Sequence, residues 1–245
     1  IMSSKIKVDA VQSNSASTAA ITLDGSGTGV YKATSIETPN IKHASSSSNN
    51  IVLASDGSVS IPSLTLPAKT SGETIEKIVG VCDGRTVTGK SGSYTLENVT
   101  AKYEPDTTYS DLTGSSISYT PPTGTKTVIY KFHACQNRDG SGQTLWHAKF
   151  MIDGVEASKY RFSRYSYYGS PGYIDFKYVI DCNASATDAS ADYARFTSWT
   201  SAKTLKIQVR TYDGSNIAEF HDTRYWDGAT ASHLVLPNLE IEALA

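Results

Sequence analysis

Residues 127–154 read TVIYKFHACQNRDGSGQTLWHAKFMIDG. Val128, Tyr130 and Phe132 alternate with Ile129, Lys131 and His133, a period of two that builds a strand with one apolar face. After the turn-rich NRDGSG, the run Leu145–Ile152 alternates in the same way and closes on Asp153-Gly154. The two runs read as antiparallel partners joined by a hairpin.

The same grammar continues outward from this stretch. Ile117 and Tyr119 lead into TPPTGT, a rigid Pro-Pro turn ending near Gly124. Tyr160 and Phe162, Ile174–Ile180, Leu205–Val209 and Leu234–Leu244 supply further strands separated by Gly, Pro and Asp turns. Many short strands with such turns predict an all-β domain, an antiparallel β-sandwich of jelly-roll type over residues 76–245. Thr70–Lys77, TSGETIEK, carries a cap residue and Glu73 in the first turn, and reads as a short helix start or hinge ahead of it.

Residues 1–75 follow different rules. All three Trp, all six Phe and all but one of the 15 Tyr lie beyond Ile78, whereas the first region is rich in Ser, Thr, Ala and Gly and includes the run SSSSNN. Such a segment cannot offset its chain entropy with a core of its own. It does write one unit twice: ITLDGSGTG at Ile21–Gly29 and IVLASDGSVSIP at Ile51–Pro62, each Ile-x-Leu followed by Asp-Gly-Ser. Ile21, Leu23, Ile51, Leu53, Val59 and Ile61, with a further short strand at Lys5–Val8, would each add a thin apolar rung. The expectation is an extended, short-stranded stem intertwined in an oligomer, burying between chains what one chain cannot bury; the competing reading is an unstructured Ser-rich arm.

Bulk chemistry narrows the function. Of 245 residues, 39% are hydrophobic and 19% charged, with a formal net charge of −2 and the basic residues scattered among the acidic ones, so no nucleic-acid partner is expected. The N-terminal IMSSKIKVDAVQ has no apolar run of signal-peptide length and no segment approaches a membrane span, so no membrane insertion is expected. Cys82, Cys135 and Cys182 are odd in number, far apart and set in apolar runs, which predicts buried thiols.

No catalytic residue, cofactor or metal is expected. His133 and His147 would face each other across the predicted hairpin, but zinc needs further ligands and none stands at a suitable spacing. No GxSxG elbow is present. Carboxylates such as Asp175, Asp181, Asp188, Asp192, Glu219 and Asp222 are available to a glycosidase, yet none is singled out. The GSGTG at Gly25–Gly29 has no Lys and no following helix, so it reads as a turn rather than a phosphate loop.

The most informative local feature is Tyr160–Tyr178, YRFSRYSYYGSPGYIDFKY. Alternation places Tyr160 and Phe162 on one face, and Arg161, Ser163 and Tyr165 on the other. Tyr165, Tyr167 and Tyr168 then crowd a Gly-Ser-Pro-Gly bend, with Arg164 and Tyr173 beside it. Tyr and Arg at a loop tip are common material of recognition surfaces, suited to sugars or to another protein. Trp226, in RYWDGATASH, is a candidate for the same rim.

Three passages carry a resemblance to a known group: SSKIKVDAVQSNSASTAAITL, NNIVLASDGSVSIPSLTL, and GSSISYTPPTGTKTVIYKF through HAKFMIDG. They resemble virion structural proteins of tailed bacteriophages, especially the tail-fibre-like proteins of marine phages. The resemblance implies a trimer with an N-terminal stem that docks on other virion proteins and a C-terminal β-sandwich head. It transfers no catalytic residue. It implies a non-enzymatic protein assembled in the host cytoplasm and exposed on the virion, with a head that recognises a host-surface polysaccharide. The alternative is a capsid or tail decoration protein whose head meets other virion proteins, and a third reading is a polysaccharide depolymerase.

Overall fold

A computed structural model describes residues 40–41, 51–53, 59–61, 70–137, 143–166, 172–224 and 232–245. The chain divides into two compact units, Ile1–Pro67 and Ala68–Ala245.

In the first unit, β1 (Asn40–Ile41), β2 (Ile51–Leu53) and β3 (Val59–Ser60) form an antiparallel sheet in that order. The repeat copy at 51–61 is thus a pair of strands, with Val59 and Ile61 exposed. Lys5–Val8, Ile21 and Leu23 lie outside the described residues.

The second unit is all-β among its described residues, with only the short 3₁₀ turns Ser158–Tyr160 and Ala191–Tyr193 as helical elements. One sheet contains β4 (Thr74–Val81), β9 (Thr127–Asn137), β13 (Gly172–Asp181), β15 (Glu219–Phe220) and β18 (Asn238–Leu244). Its order is β4-β18-β9-β13, with β15 extending the β18 position along β9. The other contains β7 (Ser110–Asp111), β8 (Ile117–Tyr119), β10 (Thr144–Ile152), β11 (Val155–Glu156), β12 (Phe162–Ser166) and β14 (Lys203–Thr211). Here β7 and β8 line one edge of β14, β10 lines the other, and β11 and β12 complete the far edge of β10. Small hairpins, β5 (Thr86–Thr88) with β6 (Ser93–Thr95) and β16 (Asp222–Arg224) with β17 (Ser232–Leu234), complete the unit.

Taking the pieces on one edge as one position gives eight positions. In chain order they fall as 1-8-3-6 in one sheet and 2-7-4-5 in the other, which is the interleaved Greek-key arrangement of a jelly roll. The chain therefore changes sheets at every connection except that between β10 and the β11/β12 edge.

That rule corrects the hairpin expected at residues 127–154. β9 and β10 do not pair: β9 lies between β13 and β18, and β10 between β14 and β11/β12. Both edges of each strand are taken by other partners, so β9 and β10 lie in different sheets. His133 and His147 consequently sit in different sheets and are not cross-strand neighbours. The apolar faces meet through the core instead, with the Tyr130 and Phe150 ring centroids 5.2 Å apart and Phe150 stacked on Tyr178 at 4.1 Å.

Two further expectations change. Thr70–Lys77 is no helix start: Thr70 Oγ1 donates to Glu73 Oε1 (2.7 Å) within a turn, and β4 begins at Thr74. The β-branched alternation after Glu73, paired with the last residues of the chain, outweighs the local cap. Leu234–Leu244 is likewise interrupted, because Val235–Pro237 separates β17 from β18 and Pro237 has no N–H to give a ladder.

Cys82, Cys135 and Cys182 are free and buried; burial pushes the thiols of Cys82 and Cys182 up to about 12. A buried carboxylate, Glu76, pins the β5–β6 hairpin to the sandwich. It accepts from Ser91 N (2.6 Å), Ser91 Oγ (2.6 Å) and Tyr119 Oη (2.8 Å), so its burial leaves these donors satisfied.

Candidate functional site

The outer face of the β10–β14 sheet brings together residues that the sequence keeps far apart. Alternation turns Trp146, Ala148 and Phe150 inward and Leu145, His147 and Lys149 outward. The register with β12 sets Tyr165 beside Leu145 and Ser163 beside His147, while β14 sets Arg210 beside His147 and Gln208 beside Lys149. Tyr212, whose N–H donates to Leu145 O (2.8 Å), continues the outward series of β14. Two adjacent rows result: Tyr165, Leu145 and Tyr212, then Ser163, His147 and Arg210.

Tyr109, just before β7, lies against this second row. Lys149 Nζ lies 4.4 Å from its ring centroid and the Arg210 guanidinium 5.5 Å. Tyr165 and Tyr212 are each 54% exposed and Tyr109 37%, so three rings face solvent on one side of one sheet. Beside Tyr109 is a depression of about 330 Å³ lined by Tyr109, His147, Glu156, Arg161, Ser163 and Arg210 among others.

The charges of this face divide into matched and unmatched groups. Arg161 Nε donates to Glu156 Oε1 (2.5 Å), which with the field of nearby cations holds the Glu156 carboxyl below its usual range. Burial pushes Asp111 up, but hydrogen bonds from Lys206 Nζ and Gln208 Nε2, both 2.7 Å, outweigh it and the net direction is down. Lys149 and Arg210 are half-buried and form no salt bridge with a described residue. His147 is pushed below its usual range by burial and by Arg210, and is therefore neutral at pH 7.

Ser163 Oγ and His147 Nδ1 are 2.6 Å apart, which invites comparison with a nucleophile–base pair. The other ring nitrogen, His147 Nε2, is buried without a partner among the described residues, so none of their carboxylates orients the ring as a triad requires. Among the described residues no group of three His, Cys, Asp or Glu side chains could hold a metal ion.

The residues nominated from sequence are dispersed. Tyr165 belongs to this face. Arg164 points the other way, its Nη1 donating to Tyr173 O (3.5 Å). Tyr173 is exposed on the outside of the opposite sheet, its ring stacked 4.8 Å from His133, which in turn bonds Asp175. Tyr167, Tyr168 and Trp226 lie outside the described residues. The sequence reading missed Tyr109, Lys149, Arg210 and Tyr212 and set His147 aside. The signal available was the outward stripe Lys206, Gln208, Arg210, Tyr212 in KTLKIQVRTY, but its neighbours could not be read from it.

Two other recesses are less suited to a ligand. A slot of about 270 Å³ at the edge by β12 and β13 is walled by Tyr160, Phe162 and Phe176, with Lys159, Arg161, Asp175 and Lys177 at its rim and, among the described residues, no further exposed ring row beside it. One of about 420 Å³ around Pro121, Pro122 and Trp199 is bordered by Thr and Ser with only Lys126 charged.

No family model matches this chain, and no curated protein matches it. Among solved structures it is similar to the CBM36-1 domain of a multidomain xylanase from the hindgut metagenome of Trinervitermes trinervoides, at 14% identity over 67% of this chain and 95% of that one, with a TM-score of 0.28. It is also similar to infectious bursal disease virus Gx strain, at 12% identity over 80% of this chain, TM-score 0.31, and to the Gt strain, at 12% over 80%, TM-score 0.28. The match spans 46% and 50% of those viral chains. Similarity this low bears on neither ligand nor role. Among the described residues no helix is long and apolar enough to cross a membrane.

Proposed function

We propose that the chain is a non-enzymatic virion structural protein whose β-sandwich binds a surface polysaccharide on the outer face of the β10–β14 sheet. The observation that carries the binding role is the set of three exposed rings on one sheet face, Tyr109, Tyr165 and Tyr212, with a recess beside Tyr109 lined by His147 and Arg210. Rings on a rigid sheet present flat apolar area to the C–H faces of sugars at little entropic cost, and the neighbouring polar groups orient hydroxyls. The virion assignment is supported by the resemblance of the quoted passages, while the jelly roll itself is shared by capsid and lectin domains and decides nothing alone. The first unit would dock on other virion proteins and trimerise, covering the exposed Val59 and Ile61.

A depolymerase that hydrolyses with a carboxyl pair is disfavoured by the charge pattern of this face. A glycosidase needs one carboxyl held protonated, and both Glu156 and Asp111 are shifted the opposite way.

Affinity electrophoresis of the full chain through gels containing plant, algal or bacterial polysaccharides tests the reading. Retardation by at least one polymer is expected, weakened roughly tenfold by Tyr212→Ala or Tyr165→Ala, about 1.4 kcal/mol each, and unchanged by Tyr173→Ala. Free migration in every gel, or retardation indifferent to the first two substitutions, would contradict it.

A further inference from the structure

We infer that the polysaccharide bound on this face is anionic, its carboxylate or sulfate groups seated between Arg210 and Lys149 beside Tyr109. The inference rests on the polysaccharide-binding reading and adds the substrate class.

It follows from the charge account of a single sheet face. Four cations stand on or beside it. Arg161 is matched by Glu156 and Lys206 by Asp111, through contacts of 2.5 and 2.7 Å. Arg210 and Lys149 remain, half-buried on neighbouring strands against the same Tyr109 ring and in no salt bridge with a described residue; Lys149 lies only within the field of Glu156, which Arg161 already holds. A cation partly removed from water without an anion is costly, and a ring quadrupole returns only part of that cost. An anionic group settling at the Tyr109 ring, where both cations lie, would complete both at once. Arg presents a planar fork matched to carboxylate or sulfate, and Lys adds a point charge. Tyr165 and Tyr212, one row along, would hold the adjoining sugar rings.

The attraction is local, because the whole chain carries a formal net charge of −2 and would repel a polyanion at long range. Binding should therefore depend on these two side chains rather than on surface lysines in general.

The test measures binding of the full chain to four polymers: alginate, carboxyl-reduced alginate, dextran sulfate and dextran. Alginate or dextran sulfate, depending on whether the anion is a carboxylate or a sulfate, is expected to bind at least tenfold more tightly than its neutral counterpart. Arg210→Gln with Lys149→Gln should erase that difference. Lys177→Gln, on the outside of the other sheet, should leave it intact. Raising salt from about 50 to about 300 mM should weaken the charged polymer severalfold and the neutral one hardly at all.

Equal binding of charged and neutral polymers would overturn the anionic inference while leaving polysaccharide binding in place. A loss with Lys177→Gln equal to that with the double substitution would also overturn it, by showing diffuse attraction. Binding to none of the four, together with free migration in the wider set of gels, would remove the polysaccharide reading and this inference with it.

Discussion

Phe150→Ala is expected to destabilise the sandwich by about 3–5 kcal/mol, the range for deleting a fully buried aromatic ring. Phe150 is completely buried on β10 and meets the opposite sheet through Tyr178 at 4.1 Å and Tyr130 at 5.2 Å, with Tyr160 at 6.5 Å. These partners come from β9, β13 and the turn before β12, so the cavity would open where the two sheets meet and no single strand could relax to fill it. Phe162→Ala should cost less than half as much, since that ring is 41% exposed at the edge although it packs 5.5 Å from Trp146. Urea unfolding of both variants gives the comparison. A cost below about 1 kcal/mol for Phe150→Ala would contradict the packing described.

Acid should destabilise the same unit through His221. This side chain is fully buried, its Nε2–H donates to Thr113 O (2.9 Å), and Nδ1 has no partner. Burial lowers its pKa from 6.5 to about 4, with the Thr113 contact acting weakly the other way. Between those values the unfolded chain takes up a proton that the folded chain refuses. Stability is therefore intact above about pH 6.5, falls as pH drops toward 4, and falls no further on this account below that. At about 1.4 kcal/mol per pH unit the window corresponds to about 3 kcal/mol. Glu219, raised by burial despite Lys102, runs in the opposite direction, so the group must be isolated by substitution. His221 has φ 63°, a backbone conformation that Asn tolerates. His221→Asn should flatten the decline of melting temperature between pH 7 and 4; an unchanged decline would assign the acid sensitivity elsewhere.

What could be read from the sequence follows from which forces are local. Alternation along Val128–Phe132, Leu145–Ile152 and Ile174–Ile180 names strands and their inward residues, because the period of two is a property of one strand. Whether two strands lie side by side or face each other across a core is not local: an apolar stripe on each looks the same in both cases. The alternation on either side of NRDGSG therefore reads as a hairpin, whereas β9 and β10 belong to different sheets. The Thr70–Glu73 pattern reads as a helix start but lies in a turn ahead of β4, since pairing with β18 is invisible to a local window. The candidate site divides along the same line. Tyr165 was accessible through its position in an aromatic cluster, whereas Tyr109, Lys149, Arg210 and Tyr212 become neighbours only through the pairing of β7, β10, β12 and β14.

The central claim, that the outer face of the β10–β14 sheet is the binding face, is tested most directly by tyrosine footprinting. The full chain would be nitrated with and without a polysaccharide that retards it in the gel, and each ring quantified by mass spectrometry. Protection of Tyr109, Tyr165 and Tyr212, with Tyr173 and Tyr193 still reactive, is the predicted result. Protection confined to Tyr173, on the opposite sheet, or no change at the three face tyrosines under saturating polymer, would contradict it.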